Sequence, residues 1–104
     1  MSRIAVTTTP LDAADEWDSG ILIPGLADRV VGSVFADEAG TIYIEQSPDF
    51  TNWDISTSYA VAASDGKGFS EEIILSFVRI RYVNGGTDQT EFRLTVRMTS
   101  AGPR

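Results

Sequence analysis

Residues 90–99, TEFRLTVRMT, alternate without a break. Phe92, Leu94, Val96 and Met98 fall on one side, and Glu91, Arg93, Thr95 and Arg97 on the other. Successive side chains of a strand point to opposite faces, so this segment reads as a strand with one face in a core and one in water. Residues 77–83, FVRIRYV, repeat the pattern, with Val78, Ile80 and Tyr82 inward and Arg79 and Arg81 outward. Two such strands require apolar cover from further strands or helices. Nothing between them and the N-terminus carries a convincing helical period.

The rest of the chain supplies strands. Residues 4–9, IAVTTT, end at Pro10. Ile21, Leu22 and Ile23 form a short apolar run closed by Pro24-Gly25. Residues 29–35, RVVGSVF, are apolar on both sides, which predicts a central strand covered on both faces. Gly32 within it predicts a bulge or a close approach of backbone. Residues 40–54, GTIYIEQSPDFTNWD, start at a glycine expected to make a turn, run as a strand, break at Ser47-Pro48-Asp49, and return an aromatic, Trp53. Residues 57–63 and 69–75 add two more strands, separated by a turn centred on Asp65-Gly66. Residues 84–88, NGGTD, read as a hairpin turn. Short strands divided by Gly, Pro, Asp and Ser clusters predict an all-β antiparallel sandwich of about eight strands in two sheets, jelly-roll-like in order. The expected organisation is an extended N-terminal arm over 1–19 and a β-sandwich domain over 20–104. Within that arm, the acidic, weakly helical residues 11–18 carry Trp17 as their one large apolar anchor. Two readings of this segment stand: an arm that reaches a neighbouring subunit and anchors there through Trp17, and, in preference to it, an edge strand and loop folded back on the same domain.

Composition narrows the chemistry. The 104 residues contain no cysteine and no histidine. Disulfides, thiolate nucleophiles, Ser-His-Asp arrangements and most zinc sites are thereby excluded. The formal net charge is −7, which disfavours nucleic acid as a partner. No apolar run approaches the roughly 18 residues of a membrane span, so no membrane partner is expected. Asp12, Asp15, Glu16 and Asp18 lack the spacing and glycine of a calcium loop. Glu71 and Glu72, adjacent on a strand, point to opposite faces and cannot act as a catalytic pair. Asp37 with Glu38, and Asp49 with Asp54, sit in turns, where aspartate caps backbone. The reading is a non-enzymatic protein with no cofactor and no metal.

Candidate contact residues remain. If the last two strands pair across the Asn84 turn, Arg79, Arg81, Arg93 and Arg97 share one outer face. Such a face suits a carboxylate, an acidic sugar or an acidic patch on a partner subunit; otherwise it is a solvated face with Glu45 and Glu91 as ion partners. Phe50, Trp53 and Tyr59 are candidates for sugar stacking, set against the favoured alternative that they pack in the core or against loops. Phe50 is out of place between Asp49 and Thr51 at a turn tip, where an exposed aromatic points to a partner. Trp17, Phe50 and the four arginines are the partner-binding set.

Two resemblances bear on these residues. SPDFTNWD followed by FVRIRYVN resembles discoidin-type, galactose-binding-like jelly rolls, in which a Ser-x-Asp-Gly-x-x-Trp turn precedes an aromatic-x-Arg-aliphatic-Arg strand. Ser47, Asp49, Trp53, Arg79 and Arg81 match; Phe50 replaces the glycine, and the family's cysteines are missing. The second covers more of the chain. VVGSVFADEAGTIYIEQSPDFTNWDISTSYAV and GKGFSEEIILSFVRIRYVNGGTDQTEFRL are similar to small structural proteins of tailed bacteriophages, such as capsid decoration or tail-tip proteins. This resemblance implies a non-enzymatic virion component, without saying which part of the virion. A short β-sandwich with an N-terminal arm suits a capsid decoration protein, made in the host cytoplasm and placed on the capsid surface. The expected partners are the major capsid protein or another virion protein, and copies of itself, with a trimer favoured. A carbohydrate- or receptor-binding module of a tail fibre or tail tip is the alternative.

Overall fold

The computed structural model describes residues 2–100. Eight strands follow one another: β1 (Ser2–Thr7), β2 (Glu16–Asp18), β3 (Arg29–Ala36), β4 (Gly40–Ser47), β5 (Ile55–Val61), β6 (Lys67–Glu72), β7 (Phe77–Asn84) and β8 (Phe92–Thr99). They form two four-stranded sheets, ordered β1-β8-β3-β6 and β2-β7-β4-β5, with every pairing antiparallel. This is the order of a jelly roll, as expected. We call the first sheet A and the second sheet B.

The alternating patterns meet in the middle. Val30, Val34 and Ala36 of β3 and Phe92, Leu94, Val96 and Met98 of β8 face Ile42 and Ile44 of β4 and Val78, Ile80 and Tyr82 of β7. Tyr82 and Phe92 bring their rings to 4.8 Å across the sandwich. β3 is central, between β8 and β6, but only one face is covered: Val31 and Phe35 are half-buried and Ser33 is exposed. Gly32 is there for close approach. A Cβ would lie 2.2 Å from the Thr95 carbonyl oxygen and 2.6 Å from the Phe69 ring, which fills the missing side chain's place. Gly40 does the same at the head of β4 and is not a turn residue: its Cβ would meet the Tyr82 hydroxyl at 2.3 Å.

Two expectations are corrected by the topology. Residues 84–88 do not form a hairpin, because β7 and β8 lie in different sheets. Each strand has one strongly apolar face, and the two faces cover each other only if the chain crosses the sandwich between them. Asn84, buried, organises that crossing by donating from Nδ2 to the carbonyls of Leu11, Asp12 and Thr87. The Asp37 carboxylate accepts from the Thr90 and Glu91 amides on its far side. The second correction concerns residues 11–18, which hold no helix. Ser2–Thr7 pairs with β8, and Glu16–Asp18 pairs with β7 of the same chain, so the described part of the expected arm lies on the edges of both sheets. Unpaired edges of β7 and β8 are filled this way, which satisfies backbone groups that would otherwise face solvent.

The connection from β4 to β5, residues 48–54, keeps both flanking strands in one sheet. Next to it, Gln46 ties the two sheets together. Its Nε2 donates to the Glu72 carbonyl at 2.8 Å, and its Oε1 accepts from Ile74 and Leu75 at 2.8 and 3.0 Å. A polar residue at an inward position of β4 is thus fully engaged.

Candidate functional site

The four arginines do not share a face. Arg79 and Arg81 lie outside sheet B, Arg93 and Arg97 outside sheet A, with a core roughly 10 Å thick between the sheets. The two outer faces differ in kind.

On sheet B, register places Arg79 opposite Glu45 and Arg81 opposite Tyr43. Glu45 points outward, yet it is only 6% exposed. Arg79 bonds its Oε1 through Nε at 2.8 Å and Nη2 at 2.7 Å, and Arg81 reaches Oε2 through Nη2 at 3.2 Å. Arg81 also pairs with Glu16 at 3.1 Å. The guanidinium of Arg79 stacks on Trp53 at 4.1 Å and that of Arg81 on Tyr43 at 4.5 Å. Burial pushes the Glu45 carboxyl up, but hydrogen bonds from Arg81 and Arg79 and their charges outweigh it and hold it below the usual range. Arg81 is held above its ordinary value, chiefly by its bond to Glu45. Arg79, Arg81, Glu45 and Glu16 are thus paired with one another, and Trp53 and Tyr43 each have a guanidinium over the ring. One face of the half-buried Trp53 ring is therefore taken by Arg79. Tyr59, at the β5–β6 side, is engaged as well: its hydroxyl bonds Glu71 and Lys67 lies over its ring.

At the end of sheet B, the 48–54 hairpin is fastened by Asp49. Its carboxylate accepts from the amides of Thr51 and Asn52 at 3.0 and 2.8 Å, from Asn52 Nδ2 at 2.7 Å and from Ser47 Oγ at 3.2 Å. The Asn52 amide and side chain lead in drawing its pKa down to about 2. Phe50 then sits at φ 72°, in the left-handed region where the resembling pattern has glycine. Its ring stacks on Phe77 at 3.9 Å and stays half exposed. Beside it, a groove of about 410 Å³ is lined by the exposed Ile23 with Ala27, Ile73, Leu75 and Phe77.

Trp17, expected as an anchor on a neighbour, is half-buried against its own core, opposite Tyr82 in register.

Sheet A has no such network outside. Its described outward strand positions carry Arg29, Arg93 and Arg97 against only Glu72, while Lys67 and Glu71 lie in the inward phase of β6 against Tyr59 of sheet B. Ten of the fifteen acidic residues lie in connections. Across its outer register Val31 faces Arg97, Ser33 faces Thr95 and Phe35 faces Arg93. Arg93 lies over Phe35 at 4.4 Å and pairs with Glu91; Arg29 Nε donates to Ser70 Oγ at 3.0 Å. Arg97 is exposed and, among the described residues, has no ion partner. It borders an open trough of about 310 Å³ with Gly32, Ser33 and Thr95. Residue type alone could not separate Arg97 from Arg79; only the strand order does.

Comparison with known proteins gives this fold a lineage. A model of the domain described as "Uncharacterised protein YqxG N-terminal domain" matches residues 5–99. The chain belongs to this family. It is 38% identical over 71 residues to the uncharacterised protein YqxG of Bacillus subtilis (strain 168), across 66% of the chain and 24% of that protein. It is 37% identical over 71 residues to the phage-like element PBSX protein XepA of the same organism, covering 66% of the chain and 25% of XepA. The chain thus spans about a quarter of the length of the curated relatives it matches. The crystal structure of the PBSX exported protein XepA superposes on 99% of the chain with a TM-score of 0.87 and 25% identity, using 38% of the XepA chain. A family 6 carbohydrate-binding module aligns over 97% of the chain at a TM-score of 0.50 and 12% identity, a likeness of fold alone.

Proposed function

We propose that the chain is a non-enzymatic, virion-associated structural domain of a phage or phage-like element. We read its role as decorating the capsid and bridging neighbouring subunits on its surface. The observation that carries the reading is the superposition of nearly the whole chain on XepA, a protein named for a phage-like element. Two features of the site support it. Charged and aromatic groups on sheet B are engaged with one another instead of converging on a vacant reaction centre. Sheet A, by contrast, offers a broad, partly cationic surface of the kind that makes protein contacts. Such a protein works by burying surface: binding the assembled shell and not its separated subunits stabilises the shell by mass action. The test mixes purified protein with capsids lacking it and follows sedimentation and capsid melting. Co-sedimentation with a raised capsid melting temperature is expected. A protein left in the supernatant, with melting unchanged, rejects the role.

A second reading, a carbohydrate- or receptor-binding module of a tail fibre or tail tip, is favoured by one observation: the Phe50 ring held half exposed on a strained backbone. Glycan-array binding that disappears in Phe50→Ala would support it, and no binding at millimolar glycan would remove it.

A further inference from the structure

We propose that the outer face of sheet A is the docking surface for an extended acidic segment of a partner protein, read by Arg97 and Arg93 at the two ends of the Ser33–Thr95 trough. The inference rests on the reading of the chain as a binding component and names the chemistry of its partner.

The geometry is that of a ruled face. Arg97 and Arg93 stand four residues apart on β8, both outward, which at about 3.4 Å per residue separates their backbone positions by about 13 Å. An extended peptide has the same rise, so carboxylates at its positions i and i+4 meet the two guanidinium groups in register. Between them, Ser33 and Thr95 present hydroxyls that have no hydrogen-bond partner among the described residues, beside the half-buried Val31 and Phe35. The trough is shallow because Gly32, Ser33 and Thr95 are small. Its centre thus takes short polar or β-branched side chains, and its ends take acids.

Charge selects the class of partner. The chain carries −7 overall, but the described outward positions of sheet A bear three arginines, Arg29, Arg93 and Arg97, against one acid, Glu72. The acidic connections around the face, among them Asp28, Asp37 and Glu91, repel a long uniform polyanion such as nucleic acid, which needs a continuous basic stripe. A short segment carrying two or three carboxylates gains from Arg97 and Arg93 without meeting that rim. Arg97 is the more valuable of the two, because Arg93 is already shared with Glu91 and Phe35.

The test is a nitrogen–proton NMR titration of the full chain with an extended peptide bearing glutamates at positions i and i+4, Glu-Thr-Val-Thr-Glu, against its Gln-Thr-Val-Thr-Gln counterpart. The expected result is salt-sensitive shifts confined to Ser33, Phe35, Thr95 and Arg97 with the acidic peptide. Arg97→Gln should weaken binding at least fivefold, and Arg79→Gln should leave it unchanged. The proposal is overturned by equal binding of the glutamine peptide, by shifts confined to sheet B or the Phe50 loop, or by insensitivity to Arg97→Gln. It is overturned too if single-stranded DNA or polyglucuronate binds this face more tightly than the peptide. Capsids separate this inference from the functional reading. If Arg97→Gln co-sediments with them as well as the unaltered chain, the docking face fails and the virion role stands; if neither co-sediments while the peptide still binds, the reverse holds.

Discussion

Both outer faces of this sandwich carry arginines, yet they use them differently. On sheet B, Arg79 and Arg81 close around one buried carboxylate and lie on two aromatic rings. On sheet A, Arg93 has a solvent-exposed partner and Arg97 has none among the described residues. The difference traces to what stands opposite in register. Sheet B places Glu45 and Tyr43 across from its arginines, and sheet A places Val31 and Phe35. Identical residue types are therefore structural on one face and available to a partner on the other.

The comparison breaks most visibly at Glu45. Glu45→Gln leaves two guanidinium groups facing a neutral amide in a largely desolvated site. Removing one member of a fully buried pair costs about 3–5 kcal/mol; these arginines keep some contact with water, so a loss of about 2–3 kcal/mol is expected in urea unfolding. A loss below about 0.5 kcal/mol would mean that the network is as weak as an ordinary surface pair.

A smaller effect is expected at the hairpin tip. Phe50→Ala and Phe50→Gly both remove the stack on Phe77, but only alanine keeps the penalty of a left-handed backbone. The glycine variant should be the more stable of the two by about 1 kcal/mol. Equal stabilities would show that the turn relaxes away from positive φ when the ring is gone.

Acid sharpens the same contrast. Asp49 has a folded pKa of about 2 against an ordinary 3.8, and Glu45 is lowered from 4.5. For a depressed carboxylate the stabilisation is fully present above the unfolded value and is lost as pH falls toward the folded one. Stability should thus decline from about pH 5 downward, with Asp49's share lost between its ordinary 3.8 and about 2. Asp49→Asn should flatten the lower part of that decline, and Arg97→Gln should leave its shape unchanged; chemical denaturation across this range checks both.

Much of this was legible in the residues, and the limit has a physical form. Period-two alternation states which side of a strand faces the core, so the inward sets of β7 and β8 and the antiparallel sandwich class followed directly, while the jelly-roll order stood only as a preference over an immunoglobulin order. Alternation does not state which strand lies alongside. The NGGTD run looked like a hairpin, and only the need for two apolar faces to cover each other sends β8 into the other sheet. That error alone put four arginines on one face. Glu45 was missed as a buried charge because its outward phase implies exposure; Trp53 and two arginines, distant in sequence, cover it. Gln46 carried a readable signal, a polar residue at an inward phase, whose purpose depends on the loop it holds. Phe50 in a glycine position announced strain that the backbone confirms.

The most direct measurement compares two double variants by urea unfolding: Arg79→Gln with Arg81→Gln, and Arg93→Gln with Arg97→Gln. Stripping sheet B leaves the Glu45 charge buried and unpaired, and a loss of about 3 kcal/mol is expected. Stripping sheet A removes exposed groups and should cost less than about 1 kcal/mol. Equal losses would contradict the claim that one face is committed to the fold and the other is free to bind.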